Sequence, residues 1–420
     1  MRGVTGRQRW GGRRVACGLA AVLFGAQALT GCGPMGSSAG PDADDRSVQR
    51  LLDRWADALR GRDEAAFLAA VDPRATGYRA ARQRVFDRLK DVPLAAYDYR
   101  LVRRGGFTPA AGDGHRVAVE AELRYRLAGY DTAPVTAPAR LTLVKRDGRW
   151  YVAAQDDRDG GRQLWEHGTV TVVRGAHSLV LGVGQDRGRL RALADLADRA
   201  VPTVGAAWRG KWAGRVVVEM PASLDTMAAL LGSPASSYRG IAAVTTGEVG
   251  GAGAAPADRI IVNPEAYGVL GDFGRRVVLT HETAHVATRA LTSPATPLWL
   301  SEGFADWAAY RDTDRPPRQA APELARAVTG GELPRRLPED GEFGFAGESG
   351  RLARAYEEGW LACRMIADEW GEEKLVAFYR AVGGHSRRAG AVEAALRDVL
   401  GVNLADFTAR WRAYLEAALG

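Results

Sequence analysis

The chain has 420 residues, 46% of them hydrophobic and 25% charged, a composition of folded globular domains with room for more than one. Of its formal charge of +7, five units come from Arg2, Arg7, Arg9, Arg13 and Arg14, so the chain beyond residue 31 carries seven less five, or +2, and lacks the footprint of a nucleic-acid-binding protein. With only four lysines among 57 basic residues, the arginine bias reflects a GC-rich genome more than phosphate recognition, and three cysteines (Cys17, Cys32 and Cys363) exclude a disulfide-stapled scaffold.

After the arginine-rich start, which holds no acidic residue, an apolar run extends from Val15 to Leu29. These are the two regions of a secretory signal peptide, and the run is too short for a membrane span. It ends in Leu29-Thr30-Gly31-Cys32, which resembles a bacterial lipobox. The resemblance implies removal of residues 1–31 and lipidation of Cys32, with the protein lipid-anchored on the extracytoplasmic face of the cell membrane. Arg13-Arg14 leaves general and twin-arginine export both open. Residues 32–46, rich in Gly, Pro, Ser, Ala and Asp, bury too little apolar surface to fold and are read as a flexible tether.

Residues 47–156 are read as a first globular unit. Val48, Leu51, Leu52, Trp55, Ala56 and Leu59 recur at helical spacing, and Ala65 to Val71 forms a second short helix. Alternation then predicts strands over residues 97–102, 116–126, 139–145 and 150–153, with Asp147-Gly148 as a hairpin turn. Helices followed by a curled antiparallel sheet ending in Asp147-Gly-Arg-Trp-Tyr-Val152 resemble the nuclear transport factor 2-like (SnoaL-like) cone. The resemblance implies a small-molecule ligand or a dimer contact there. His115, in a turn segment, is read as loop, and residues 157–164 as a linker.

A second unit, residues 165–420, opens with predicted strands over 169–173 and 178–182 and an amphipathic helix from Leu190 to about Ala206 that Pro202 should kink or end. Strands follow at 215–220, 240–245 and 258–264, the last two separated by the glycine-rich residues 247–253, either a lid or surface slack. The expected fold class is α+β: a cone-shaped domain, then a mixed α/β and finally helical domain.

The chemistry lies in His281-Glu282-Thr283-Ala284-His285, on a helix expected from Gly274 to Ala290. Residues four apart share a helix face, so both imidazoles can grip one metal, while Glu282 is turned far enough to reach a water on that metal. Pro294 and Pro297 force a turn before a second helix carrying Trp299-Leu-Ser-Glu302-Gly-Phe-Ala-Asp306. A catalytic zinc takes three protein ligands and keeps one position open, which makes Glu302 the third ligand. Asp306, four residues on, is placed to accept a hydrogen bond from a liganding histidine.

This pattern resembles the gluzincin zinc metallopeptidases, the thermolysin-like and aminopeptidase-like enzymes, in which HExxH is followed by a turn and a glutamate in an EG(F/L)A-like segment. His281, Glu282, His285 and Glu302 match residue by residue. No GxMEN segment is present, and Ser301 stands where many relatives have asparagine, so the expectation is an endopeptidase rather than an exopeptidase. The resemblance implies one Zn2+ per chain, a peptide or protein substrate, Glu282 as general base, and a tyrosine aimed at the oxyanion. Tyr356 matches that tyrosine by approximate position, with packing beside Trp360 as its other reading. His385, in Gly383-Gly384-His385-Ser386, is a second candidate or an exposed turn.

Residues 315–350 read as a variable surface segment with one short helix. Leu352 to Trp370 reads as a long helix closed by Gly371, and helices over 391–400 and 404–419 as structural cover. Cys363 falls on an apolar stripe and reads as a small buried hydrophobe. A zinc-binding envelope lipoprotein without turnover and a lipoprotein acting through a ligand in its N-terminal unit are the alternatives to a peptidase.

Overall fold

The first buried helix, α1 (Ala43–Arg60), begins inside the segment read as a tether. Asp44 and Asp45 sit in its first turn, where carboxylates complement the helix dipole, and both are paired with Arg104 of the neighbouring sheet. The computed structural model describes residues 43–156, 163–246, 257–344 and 349–420. The leader, Cys32, most of the expected linker and the glycine-rich residues 247–253 lie outside the described residues.

Two further helices, α2 (Glu64–Ala69) and α3 (Thr76–Arg88), complete the first helical layer. Sequence periodicity misses α3 because one of its three buried positions is Arg82, which breaks the apolar stripe. Strands β1 (Leu94–Arg104), β2 (His115–Leu127), β3 (Val135–Arg146) and β4 (Arg149–Asp156) form an antiparallel sheet in that order. The β3–β4 turn places Asp147 at φ 49° and Gly148 at φ 76°, the paired positive angles of a tight hairpin. Inside, Trp55 of α1 stacks on Phe67 at 5.5 Å and on Tyr99 at 5.1 Å.

A short helix, α4 (Leu164–His167), then closes this interior. Trp165 packs edge-on to Tyr125 at 4.9 Å, Glu166 pairs with Arg82 at 2.7 Å, and Arg88 donates to the carbonyls of Trp165 and Glu166.

The second sheet contains β5 (Val170–Arg174), β6 (Ser178–Val183), β7 (Val216–Met220), β8 (Ala243–Thr245) and β9 (Ile260–Val262), in the order β5-β6-β7-β9-β8. The β6–β7 and β7–β9 pairs are parallel, while β8 runs antiparallel to β9 at one edge. Helix α5 (Arg187–Trp208) crosses between β6 and β7 and continues past Pro202, so the proline does not end it. The proline removes one backbone donor, but Val201, Val204, Ala207 and Trp208 are buried around it and hold the helix in place. Helices α6 (Leu224–Leu231) and α7 (Pro264–Gly268) flank the β8–β9 edge.

The helical remainder packs against α5. It comprises α8 (Asp272–Thr288), α9 (Leu298–Tyr310), α10 (Pro317–Ala320), α11 (Pro322–Thr329), α12 (Ser349–Trp370), α13 (Glu372–Gly383), α14 (Ala391–Ala395) and α15 (Leu404–Leu419). Residues 315–350 are not mere surface: Ala321, Leu324 and Phe343 are buried in the helical core. Pro317 and Pro322 each begin a short helix, while Pro334 and Pro338 lie in the irregular stretch that follows.

Residues Ala43–Gly420 form one compact unit in which the two sheets share an apolar core: Trp55, Leu141 and Val152 belong with Val170, Leu181 and Val217. A buried ion pair crosses the same boundary, Arg259 gripping Asp131 through two bonds of 2.7 and 2.8 Å. Fold class is therefore mixed helix and sheet, with the first sheet built onto the second.

Candidate metal centre

Helix α8 is buried on most of its circumference, and its polar residues are satisfied locally. Thr280, Thr283 and Thr288 each donate to the carbonyl four residues back, at 2.9, 2.7 and 3.0 Å. That leaves its His281–His285 face to meet α9. The turn between the helices is pinned by Arg388, which donates to the carbonyls of Pro294 and Thr296 and pairs with Asp340 at 2.7 Å. Asp340 in turn accepts from the first amide of α9, Leu298 N, at 2.9 Å.

Behind α9, contact with α12 requires two glycines. A Cβ on Gly303 would lie 2.2 Å from the Gly359 carbonyl oxygen, and one on Gly359 would lie 2.7 Å from that of Trp299. The backbones therefore touch beside Glu302, and α12 is drawn close enough to present Tyr356.

Three donor atoms converge. His281 Nε2 and His285 Nε2 are 3.0 Å apart, and Glu302 Oε2 is 3.2 and 3.4 Å from them. Ligands at zinc distances in a tetrahedron are separated by about 3.3 Å, so this triangle has the dimensions of three corners around one ion. Glu302 Oε2 is buried without a well-formed hydrogen bond, an expensive arrangement unless a cation fills the space between the three atoms. The residues fit zinc.

Asp306 Oδ1 lies 2.8 Å from His281 Nδ1. A carboxylate only accepts, so Nδ1 carries the hydrogen and the Nε2 lone pair faces the other two donors. Burial pushes His281 toward the neutral form that offers this lone pair, whereas Asp306 and Glu302 pull the other way and hold its pKa well above the ordinary value, so the two carboxylates favour a cation at Nε2, whether a proton or a metal ion. Burial raises the Glu302 carboxyl, yet His285 and His281 outweigh it and hold the group far below the usual carboxylate range. The pocket is thus built to bind positive charge.

Glu282, the residue after the first ligand, is buried, with its Oε2 receiving a 2.7 Å hydrogen bond from Thr245 Oγ1 at the end of β8. Tyr356 reaches the same cleft, its ring 6.3 Å from that of His281 and braced edge-on by Phe343 at 5.2 Å. The other oxyanion candidate, His385, stands exposed in the turn after α13 and does not line the cleft. His115 begins β2 beside Trp150, away from these residues. Cys363 is fully buried with its thiol pKa pushed up by burial, as a packing residue would be.

The cleft has a volume of about 780 Å3, with apolar walls from Ile241, Val244, Val278, Leu298, Phe343 and Leu352. Sequence reasoning missed Thr245, Asp340, Phe343 and Arg388. Thr245 ends an expected strand, and nothing in its local pattern points at Glu282. The other three arrive through tertiary packing alone.

No protein-family model matches the chain, and no curated protein matches it. Among solved structures, a mutant M1 zinc metallopeptidase from Deinococcus radiodurans, bound to a Tyr-Ser-Ala substrate, is similar over 72% of this chain and 61% of that one, with a TM-score of 0.32 and 15% identity. The chain spans about three fifths of that protein's length.

Proposed function

We propose that the protein is a zinc-dependent endopeptidase, carried on the outer face of a bacterial membrane by a lipid on Cys32. The observation that carries the catalytic reading is the convergence of His281, His285 and Glu302 at 3.0 to 3.4 Å with Glu282 buried beside them. Among the described residues these three are the only His, Cys, Asp or Glu group that could hold an ion. A structural zinc site normally closes with a fourth protein ligand, so a three-residue set beside a carboxylate favours catalysis. No helix among the described residues is long and apolar enough to cross a membrane, so the anchor rests on the Leu29-Thr30-Gly31-Cys32 sequence.

Zinc held by these residues supplies Lewis acidity, acidifying water and polarising a carbonyl oxygen. Asp306 keeps the His281 proton on Nδ1 and the ring fixed. Glu282 takes a proton onto its carboxylate from the attacking water as the new C–O bond forms, then delivers it to the amide nitrogen as the C–N bond breaks. The Tyr356 hydroxyl donates to the carbonyl oxygen as negative charge develops there. Strand β8 pairs with β9 on one side only, and a peptide laid along its other edge gains backbone hydrogen bonds.

The test is elemental analysis of the purified chain beside His281→Ala, followed by exposure of the parent and Glu282→Gln to a mixed peptide library read by mass spectrometry. One zinc per chain, lost in His281→Ala, with cleavage lost in Glu282→Gln, is expected. A folded protein without stoichiometric zinc overturns the reading.

A further inference from the structure

The hydroxyl of Thr245 is fully buried at the end of the edge strand, and its hydrogen-bond partner is Glu282. Thr245 Oγ1 lies 2.7 Å from Glu282 Oε2 and 3.1 Å from the Glu282 backbone oxygen. Both are acceptors, so the single hydroxyl proton runs from threonine to glutamate, toward the nearer and charged oxygen. The next residue repeats the attachment two helical turns further on, where Thr246 O accepts from Arg289 Nη2 at 2.9 Å. Arg289 is itself held by Asp258 at 3.2 Å, just ahead of β9. Arg289 caps α8 in helical geometry seven residues on from Glu282, so the two lie on one face. The strand edge and the metal helix are therefore joined at two points, and one of them is the proposed base.

We infer that Thr245 is a positioning residue for Glu282, its hydroxyl holding the carboxylate in the orientation that faces the scissile bond. This rests on the peptidase reading and extends it: the base is oriented by the strand edge along which the substrate lies, so substrate register and base geometry share one anchor. A glutamate side chain has three rotatable bonds, and misplacing a catalytic group by about 1 Å costs on the order of 100-fold in rate. Valine at 245 keeps the branched shape and removes only the donor.

The experiment compares the zinc-loaded full chain with Thr245→Val and Thr245→Ser, each checked for zinc content and thermal melting, using any library peptide that the parent cleaves. Thr245→Val should lower kcat roughly 10- to 100-fold with KM within about twofold, and Thr245→Ser should recover to within about threefold of the parent. A structural role alone would not separate serine from valine in this way. If valine does not fold, Thr245→Ala replaces it. Crystal structures of zinc-loaded parent and variant give a second readout, independent of turnover: the Glu282 carboxylate should swing away from residue 245 when the donor is removed.

Unchanged kcat in the variant overturns the inference, as does serine behaving like valine or an unmoved carboxylate. Should the parent cleave nothing, the peptidase reading fails separately, and the crystallographic comparison still decides whether Thr245 orients Glu282.

Discussion

Two interiors of this molecule bury charged and polar side chains, and they do so in opposite ways. Within the first sheet, Arg82 meets Glu166 at 2.7 Å and the hydroxyls of Tyr97 and Tyr99 meet each other at 3.1 Å. In the cleft, two imidazole nitrogens and a carboxylate oxygen point at one another, and the carboxylate oxygen lacks a well-formed bond. Donor facing acceptor is a finished structural contact. Acceptor facing acceptor makes sense only with a cation between them, so the first interior reads as architecture and the second as a site. Trp165 and Glu166 strengthen the contrast, because both are engaged by partners within the first interior, Tyr125 and Arg82.

The sharpest test is Glu282→Gln, which keeps size and removes basicity. Peptide cleavage should fall roughly 1,000-fold or more, with the zinc content unchanged, as rate assays beside elemental analysis would read. Equal loss of zinc would instead make Glu282 a ligand.

On the architectural side, Glu166→Gln leaves Arg82 buried opposite a neutral group. With the two side chains 10% and 19% exposed, the cost should be about 2–3 kcal/mol, somewhat below that of a fully buried pair. Denaturant titration should register this loss, while the zinc-to-chain ratio of the folded fraction stays at one. Loss of zinc from protein that is still folded would join the two interiors and break the comparison.

Gly303→Ala acts between them. Its Cβ would sit 2.2 Å from a backbone oxygen, so α9 and α12 must separate, at about 2 kcal/mol by denaturant titration. Because Glu302 is the adjacent residue and Tyr356 rides on α12, cleavage should fall by more than the stability loss alone predicts.

How much of this was readable in advance follows from the range of each interaction. The spacing of His281 and His285 is a property of one helix, and that of Glu302 and Asp306 of another, so local periodicity placed each pair on a common face. Bringing the two faces together needed Pro294 and Pro297, which are visible in the chain, and also Asp340 and Arg388, which are not. Thr245 reaches Glu282 only because β8 turns back to the sheet edge beside α8, a consequence of strand order that no window of sequence contains. The errors have the same origin. Helix α3 escaped notice because one of its three buried positions is an arginine neutralised 84 residues away, and α5 continued past Pro202 because tertiary burial outweighs one missing hydrogen bond.

The smallest expected effect sharpens the comparison most finely. Asp306→Asn changes one oxygen to nitrogen in a side chain that touches no ion itself, yet an amide can present either a donor or an acceptor to His281 Nδ1. With the carboxylate, only one imidazole tautomer fits, and its Nε2 lone pair is committed to the triangle with His285 and Glu302. With the amide, that commitment weakens and the local negative charge falls by one. Zinc affinity should drop about 10- to 100-fold in a chelator competition, with the melting temperature of the zinc-free protein little changed. An unchanged affinity would mean that the triangle is held by packing of α8 on α9 alone, and that Asp306 belongs with the architectural contacts and not with the site.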